Sequence, residues 1–212
     1  LGEILAAHFT ALEQIRSFGT EGQRNTLFSA ALSGARLARA VPRRNGGALD
    51  ALPLAVTGLA HRLSGEAVST PCTRHADWML IPVRGDGGKT AGLLLPTRIE
   101  GLRYAANSCE PAPGGAQPAE VVLFKDVPVE GDVLLHPAGD APQPPVPHAL
   151  DLLLEASRHL GAGRRTLAQC MDGTAEPLKI GLLSARQAAA EAMADEAGRA
   201  IDAAQIGLAG QH

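Results

Sequence analysis

Short strand-like segments fill the middle of this chain, and regions with a helical period flank them on both sides. Six such segments, at residues 52–56, 66–69, 78–83, 90–95, 102–105 and 121–129, are separated by turns rich in Gly, Pro, Asp and Asn. Short strands at this spacing are typical of an antiparallel barrel or sandwich. We therefore predict a central antiparallel β domain, a barrel or a sandwich, at residues 51–137.

The start of the chain has the period of an amphipathic helix. Leu5, Leu12 and Ile15 recur at helical spacings, which places them on one face of a helix that Phe18-Gly19 ends. Thr20 and Gln23 then form the T-x-x-Q pattern of a capping box, which predicts a second helix that stops at Gly34. The segment 1–50 is therefore predicted to be an N-terminal helical layer.

The residues after the second predicted helix favour a loop. Residues 36–51 contain Pro42, several glycines and four arginines, at positions 36, 39, 43 and 44. Proline and glycine commonly mark a break in regular structure, so we predict a loop that leads into the strands. The arginines could bind a phosphate, and the alternative is a solvated basic loop.

The end of the chain returns to a helical period. Residues 138–147 are too rich in proline for regular structure, and we predict a semi-rigid linker there. Helices are predicted at about 150–170 and from Pro177 to about Ala204, within a C-terminal helical domain at 148–212. The alanine-dense faces of the last helix need neighbours, so we expect a homo-oligomer or further helices from a longer chain. The first residue is Leu1 within a helical pattern, and we expect the natural start to be missing.

Three turns are predicted among the strands. Ser64-Gly65 is expected to form a hairpin-like corner, residues 85–88 a hairpin turn, and residues 110–118 a flexible loop. The continuous apolar run at 78–83 indicates a strand that is buried rather than amphipathic. These turns separate the predicted strands.

Composition excludes several classes of function. The formal net charge of −3 offers no basic excess for neutralising phosphates, which argues against a nucleic-acid partner. Only three cysteines occur, widely spaced, so the chain has neither a disulfide framework nor a C-x-x-C metal site, and the reducing cytoplasm is the expected compartment. No apolar run approaches 18 residues, so no membrane partner is expected.

A few side chains could carry chemistry, and each has a structural alternative. His75 and Asp77 could form a base with its orienting carboxylate, although His75 at a strand entrance is the simpler interpretation. His159 and the neighbouring arginines 158, 164 and 165 could approach a pyrophosphate or form a solvated helix face. Cys72 could be a reactive thiol or an inert small residue. No catalytic residue is assigned.

Four stretches in order carry a resemblance to a known family. They are HFTALEQIRSFGTEGQRNTLFSAALSG, LSGEAVSTPCTRHADWMLIPV, AEVVLFKDVPVEGDVLL and ASRHLGAGRRTLAQC. The chain resembles the acyl-CoA dehydrogenase superfamily, nearest its monooxygenase-like branch, which includes flavin-dependent desulfurisation enzymes. The resemblance implies an α+β multidomain fold with a helical N-terminal layer, a central β-barrel and a C-terminal helical bundle. It also implies FAD or reduced FMN bound between barrel and bundle, usually in a dimer or tetramer.

The resemblance also implies positions for flavin contacts. Residues 38–42, Ala-Arg-Ala-Val-Pro, correspond to the family's A-L-T-E-P segment, which implicates Ala40 and Val41. Ser69, Thr70 and Pro71 fall on the W-x-T positions of a segment that lies against the flavin ring in the family. The aromatic and threonine of that pattern are therefore replaced, and Pro71 cannot donate a backbone hydrogen bond. The family's dehydrogenase base is a carboxylate in a later region.

Two functions follow as expectations. The first is a flavin-dependent oxidoreductase that oxidises an acyl-CoA-type or other small-molecule substrate, or acts as a reduced-flavin monooxygenase. The flavin itself performs such chemistry, and the protein supplies shape, hydrogen bonds and, for dehydrogenation, a base. The alternative is a degenerate, non-enzymatic binding or assembly subunit that partners a complete flavoprotein.

Overall fold

The computed structural model describes residues 2–44, 47–48, 50–57, 60–70, 73–85, 88–105, 120–135, 146–171 and 176–209. The chain divides between Gln143 and Pro144 into two compact units. Among the described residues, the first unit contains two α-helices, two short 3-10 helices and nine strands, and the second contains two long helices. In the described part of the chain, no helix is long and apolar enough to cross a membrane.

The two N-terminal helices form where the sequence predicts them. Helix α1 spans Gly2–Phe18 and helix α2 spans Glu21–Leu32. The Gln23 N–H donates to Thr20 Oγ1 at 3.2 Å, and the Thr20 N–H donates to Gln23 Oε1 at 2.8 Å, which confirms the capping box. The buried face of α1 agrees with the predicted one in part: Ile15 is buried, but Leu5 is exposed and Ala7 and Ala11 are buried instead. Ala11 packs in one cluster with Leu80, a close contact that its small side chain allows.

The predicted loop at 36–51 is wrong for most of its length. Strand β1 spans Leu37–Arg44, and strand β2 spans Gly47–Ala48. Strand β1 pairs in parallel with β5, at Trp78–Arg84, over its first residues and antiparallel with β4, at Ala60–Ser69, over the following ones. These partners lie far away in the sequence, so the arginines and Pro42 conceal a strand that tertiary pairing stabilises.

Six other strands coincide with the predicted segments, although one begins six residues early, at Ala60, and a seventh, Leu134–Leu135, was not predicted. They are β3 at Leu52–Thr57, β4 at Ala60–Ser69, β5 at Trp78–Arg84, β6 at Thr90–Pro96, β7 at Leu102–Tyr104, β8 at Glu120–Val129 and β9 at Leu134–Leu135. Strand β3, like β1, pairs with both β4 and β5. The sheet is mainly antiparallel, but β5 pairs in parallel with β1 and with β3, which corrects the fully antiparallel arrangement predicted.

Strands β5 and β6 are buried on both faces. Leu80 and Leu94 pack with Ile15 of α1 in one hydrophobic cluster. Residues on the opposite face, Met79, Ile81, Val83, Leu93 and Leu95, pack with the inward side chains of β4 and β8. The run at 78–83 is therefore continuous rather than alternating because both of its faces contact the core.

The predicted corner at Ser64-Gly65 is wrong. Both residues lie inside β4, where the pairing with β8 shifts register between Leu63 and Gly65. Gly65 has a φ of 146°, a conformation that side-chain-bearing residues rarely adopt. A β-bulge and a turn draw on the same residue types, so local sequence did not separate them.

The second unit contains helix α3 at Val146–Met171 and helix α4 at Pro177–Ala209. The helix therefore begins at Val146, inside the predicted linker, while residues 138–145 lie outside the described residues. The amide of Gln187 donates to the Leu160 carbonyl at 2.9 Å, which joins the two helices. The predicted loop at 110–118 also lies outside the described residues.

Candidate functional site

The pairing of β1 with β4 brings together the two segments implicated in cofactor binding. Ala40 is the register partner of Ser69. One residue further along β4, the Thr70 N–H donates to the Arg39 carbonyl at 2.8 Å, and the Arg39 N–H donates to Thr70 Oγ1 at 3.3 Å. Residues about 30 positions apart in the chain therefore form one continuous surface at the end of β4.

The side chains of these residues differ in accessibility. Ala40 is only 3% exposed and belongs to the hydrophobic core. Ser69 is 2% exposed, and its hydroxyl donates to the Glu120 carbonyl at 3.1 Å. Val41 is 53% exposed, Thr70 is half-buried, and Pro71 lies outside the described residues. Val41 and Thr70 are thus the predicted side chains that a ligand can reach.

The hydroxyls in this region already have protein partners. Thr70 Oγ1 accepts the Arg39 N–H, and the hydroxyl of Thr73 donates to the Thr70 carbonyl. The Ser69 hydroxyl donates its proton to the Glu120 carbonyl, whereas Thr70 Oγ1 acts as an acceptor toward Arg39 and lies 3.4 Å from Thr73 Oγ1, so its own O–H remains a possible donor. The residues present fit an apolar contact with a planar ring through Val41, but they do not reproduce the hydroxyl of the family's W-x-T pattern.

A small cleft adjoins Thr70. It has a volume of about 230 Å³ and is lined by Ile4, Arg36, Leu37, Ala38, Thr70, His75 and Ala76. The Arg36 N–H donates to Asp77 Oδ2 at 2.8 Å, and the Asp77 N–H donates to the Arg36 carbonyl at 2.8 Å. These two bonds fix the backbone of Arg36, while the part of the chain that the structure describes contains no ion pair to its guanidinium.

The Asp77 carboxylate is hydrogen-bonded to the backbone of Arg36 in this arrangement. His75 lies at the end of a short 3-10 helix, Thr73–His75, and its side chain is exposed. No hydrogen bond joins His75 to Asp77 among the described residues, and the Asp77 carboxylate instead accepts the backbone N–H of Arg36. The structure therefore places His75 at the rim of the cleft, without the orienting carboxylate that a catalytic pair would need.

A histidine of α1 connects the helix to the start of β1. His8 Nδ1 accepts the N–H of Leu37 at 3.1 Å, so the neutral ring carries its proton on Nε2. Burial lowers the pKa of His8 below its ordinary value of 6.5 because the charged form loses hydration. The helical period placed His8 on the apolar face of α1, but the contact with Leu37 depends on tertiary packing.

Sequence reasoning missed a polar cluster at the start of β8. Glu120 Oε1 pairs with Arg74 Nε at 2.7 Å, and the Arg74 guanidinium lies 5.0 Å from the centre of the Tyr104 ring. Burial and the charge of Glu120 raise the pKa of Tyr104 to about 12. Glu120 Oε2 is buried and has no hydrogen-bond partner among the residues that the structure describes. No local motif joins these three residues, which come from three separate segments.

A second cavity of about 460 Å³ lies between α2, β5 and β6 and the segment Gly131–Leu134. Its walls include Leu27, Trp78 and Leu94. The Gln23 amide that completes the capping box also donates to the carbonyls of Asp132 and Leu134, the latter at 3.1 Å. Gln23 therefore joins α2 to the chain around β9.

Three basic residues of α3 lie near carboxylates on exposed surfaces. Arg158 and His159 lie 4.0 and 3.8 Å from Glu155, and Arg164 lies 2.7 Å from Glu191. This arrangement is the solvated helix face that was the structural alternative. Cys72 lies outside the described residues, and the described residues contain no cluster of ligating side chains suited to a metal.

No protein-family model matches this sequence, and no curated protein sequence is significantly similar to it. Solved structures do match. Glutaryl-CoA dehydrogenase from Mycobacterium smegmatis matches with a TM-score of 0.77 at 17% identity, over 95% of this chain and 57% of that protein.

Two further structures show the same similarity. FMN-bound TdsC from Paenibacillus sp. A11-2 matches with a TM-score of 0.72 at 16% identity, over 95% of this chain and 58% of that protein. A chain of the ChsE4-ChsE5 complex from Mycobacterium tuberculosis matches with a TM-score of 0.68 at 19% identity, over 92% and 54% respectively. The chain thus spans less than two thirds of these structures. It has a divergent acyl-CoA dehydrogenase-like fold.

Proposed function

We propose that this chain belongs to a flavin-dependent oxidoreductase of the acyl-CoA dehydrogenase type. The observation that carries the proposal is the register of β1 and β4, which makes Ala40 and Val41 neighbours of Ser69 and Thr70. These are the positions that the resemblance implicates in flavin contact. The nine-stranded sheet would correspond to the barrel of that fold, and α3 and α4 to part of its helical bundle.

Val41 and Thr70 are the residues proposed to contact the flavin. When bound, FAD or FMN would supply the hydride or oxygen chemistry. Val41 would provide an apolar surface beside the ring, and the engaged Thr70 hydroxyl would hold the backbone of β1 and β4 in a fixed geometry. No base is assigned among the described residues, so substrate oxidation is not attributed to a particular side chain.

Two alternative reactions, dehydrogenation and oxygenation, are proposed. One relative with this fold is a glutaryl-CoA dehydrogenase, and another is the FMN-bound TdsC. We accordingly propose either oxidation of an acyl-CoA-type substrate or oxygenation with reduced flavin, in a cytoplasmic homo-oligomer. Anaerobic bleaching of the flavin by an acyl-CoA indicates dehydrogenation. Oxygen consumption that depends on a separate flavin reductase indicates a monooxygenase.

A non-enzymatic subunit is the second candidate. It is favoured by the predicted ring position, where Ser69 and Pro71 replace the aromatic and the threonine of the W-x-T pattern and the buried Ser69 hydroxyl donates to the Glu120 carbonyl. A chain of the ChsE4-ChsE5 complex has the same fold. Such a subunit would form a stable complex with a second flavoprotein chain without binding flavin itself.

Flavin titration separates the two candidates. The intact oligomer of the full-length protein is titrated with FAD and FMN, oxidised and reduced, and binding is followed by absorbance and flavin fluorescence. Val41→Asp places a charge on the apolar surface and is expected to weaken binding at least about tenfold, because an unpaired charge is costly to desolvate. Leu123→Asp, at a 40% exposed position on β8, is the matched control.

The outcomes are distinct. Flavin binding that Val41→Asp weakens and Leu123→Asp leaves unchanged supports the flavoprotein at this site. Binding that neither substitution affects contradicts the assignment of Val41. If the intact oligomer binds no flavin in any redox state, the oxidoreductase proposal fails and the subunit proposal is favoured.

A further inference from the structure

We propose that the cleft beside Thr70 binds the oxyanion end of a small ligand, a carboxylate or a phosphate carried on a short apolar group. Three polar side chains line it, those of Arg36, Thr70 and His75. They come from three segments, the start of β1, the end of β4 and the following 3-10 helix. The tertiary fold, rather than any local motif, assembles this cleft.

Arg36 provides the charge for recognition. Its backbone is held on both sides by Asp77, through the Arg36 N–H and the Arg36 carbonyl, each at 2.8 Å. Within the described residues its guanidinium forms no ion pair, so it retains its full set of donors. A planar guanidinium matches the geometry of a carboxylate or a phosphate with two parallel hydrogen bonds.

Asp77 does not cancel this charge in the way that an ion-paired carboxylate would. Its Oδ2 accepts the backbone N–H of Arg36, and its backbone N–H donates to the Arg36 carbonyl. His75 adds a donor in either protonation state, because even a neutral imidazole carries one N–H. The described rim of the cleft therefore offers donors from Arg36 and His75 toward an incoming oxyanion.

The apolar lining of the cleft determines the chemical character of the group that carries the oxyanion. Ile4, Leu37, Ala38 and Ala76 are apolar and enclose the space next to these donors. The volume of about 230 Å³ is below the range of about 300–1,000 Å³ typical of sites for whole drug-sized ligands. The cleft therefore fits one end of a ligand, an oxyanion with a short aliphatic stem, rather than an entire cofactor.

The cleft shares Thr70 with the proposed flavin surface. If the proposed function holds, the ligand in the cleft lies beside the flavin and is the acidic end of the substrate. Only this identification of the ligand as substrate rests on the proposed function. Oxyanion binding by Arg36 stands on the geometry of the cleft, and it is measurable on protein that contains no flavin.

Isothermal titration calorimetry tests the cleft with three probes of similar size. Butyrate presents a carboxylate on an apolar stem, propyl phosphate presents a phosphate, and butyramide is the uncharged counterpart of butyrate. Hydrogen bonds to charged groups are worth about 1.5–3 kcal/mol, so at least one oxyanion should bind about 10- to 100-fold more tightly than butyramide. The tighter of the two identifies the chemical source of the oxyanion.

Variants locate the binding. Arg36→Gln should remove the preference over butyramide, and Arg36→Lys should retain part of it as a point charge without the planar fork. The side chain of Arg36 is exposed and its anchoring bonds are backbone bonds, so both variants keep the contacts of the fold. Arg103→Gln, at an exposed arginine on β7, is the matched control and should leave affinity within about twofold.

Two results overturn the proposal. One is equal binding of all three probes, and the other is a preference for oxyanions that survives Arg36→Gln. Failure of the protein to bind flavin leaves both of these readouts intact, because the titrations use flavin-free protein. Oxyanion binding without flavin binding supports the cleft proposal and contradicts the oxidoreductase proposal. Flavin binding without oxyanion binding supports the oxidoreductase proposal and contradicts the cleft proposal.

Discussion

Replacement of Gly65 by alanine should destabilise the first unit by an amount that the structure specifies. Gly65 lies at the bulge of β4 with a φ of 146°, and an added Cβ would lie 2.8 Å from Leu52 Cδ2. Leu52 is only 1% exposed and belongs to the main hydrophobic cluster, so its side chain has little room to move away. The substitution therefore introduces both backbone strain and overpacking.

The magnitude follows from these two contributions. A residue held in a backbone region that only glycine populates easily costs about 1–3 kcal/mol. Insertion of a methyl group into a packed core costs typically about 1–3 kcal/mol. We expect Gly65→Ala to lower the free energy of unfolding by about 2–6 kcal/mol, a large fraction of the roughly 5–15 kcal/mol typical of a domain.

The assay is urea unfolding followed by the fluorescence of Trp78, the single tryptophan of the chain, which lies in β5 and so reports on the first unit. In a Leu52→Val background the steric part is relieved, so the cost of Gly65→Ala should fall toward the strain alone. Gly22→Ala is the control, because nothing lies within 4 Å of its added Cβ and alanine favours helix α2. A loss below about 0.5 kcal/mol for Gly65→Ala would refute the reasoning.

Two further predictions concern titratable groups. Because burial lowers the pKa of His8, the unfolded chain takes up a proton at a higher pH than the folded chain, so His8 makes stability fall as pH drops below about 6.5 and level off below the folded pKa. In urea unfolding at pH 8 and pH 5, His8→Gln should show a smaller decrease in stability than the parent, and an unchanged decrease would contradict the lowering of the His8 pKa by burial. Glu120→Gln should lower the pKa of Tyr104 from about 12, because it removes a negative charge and leaves Arg74 without its carboxylate. The chain has one tyrosine, so absorbance at high pH measures this group alone; an unshifted titration would contradict the coupling of Tyr104 to Glu120.

The sequence by itself determined the elements that depend only on residues close together in the chain. The capping box of Thr20 and Gln23 requires only residues three positions apart, and it forms as predicted. The apolar run at 78–83 predicted a buried strand, since its composition leaves no polar face. The order of helices and strands, together with four short stretches, was enough to indicate the acyl-CoA dehydrogenase-like fold.

Tertiary structure decided the features that depend on partners distant in the chain. Strand β1 looked like a basic loop, because its stability comes from pairing with β4 and β5 rather than from its own residues. Gly65 looked like a corner, because a bulge in a strand and a turn both require a glycine conformation.

The candidate sites also depend on contacts between segments that are distant in the chain. Sequence placed Ala40, Val41, Ser69 and Thr70 in two separate segments, and only the register of β1 and β4 made them neighbours and set which side chains a ligand can reach. Arg36 and His75 reach the same cleft because Asp77 holds the start of β1 beside the 3-10 helix. Local patterns determine which residues form helices and strands, but a binding surface depends on contacts between segments, and those contacts exist only in the folded chain.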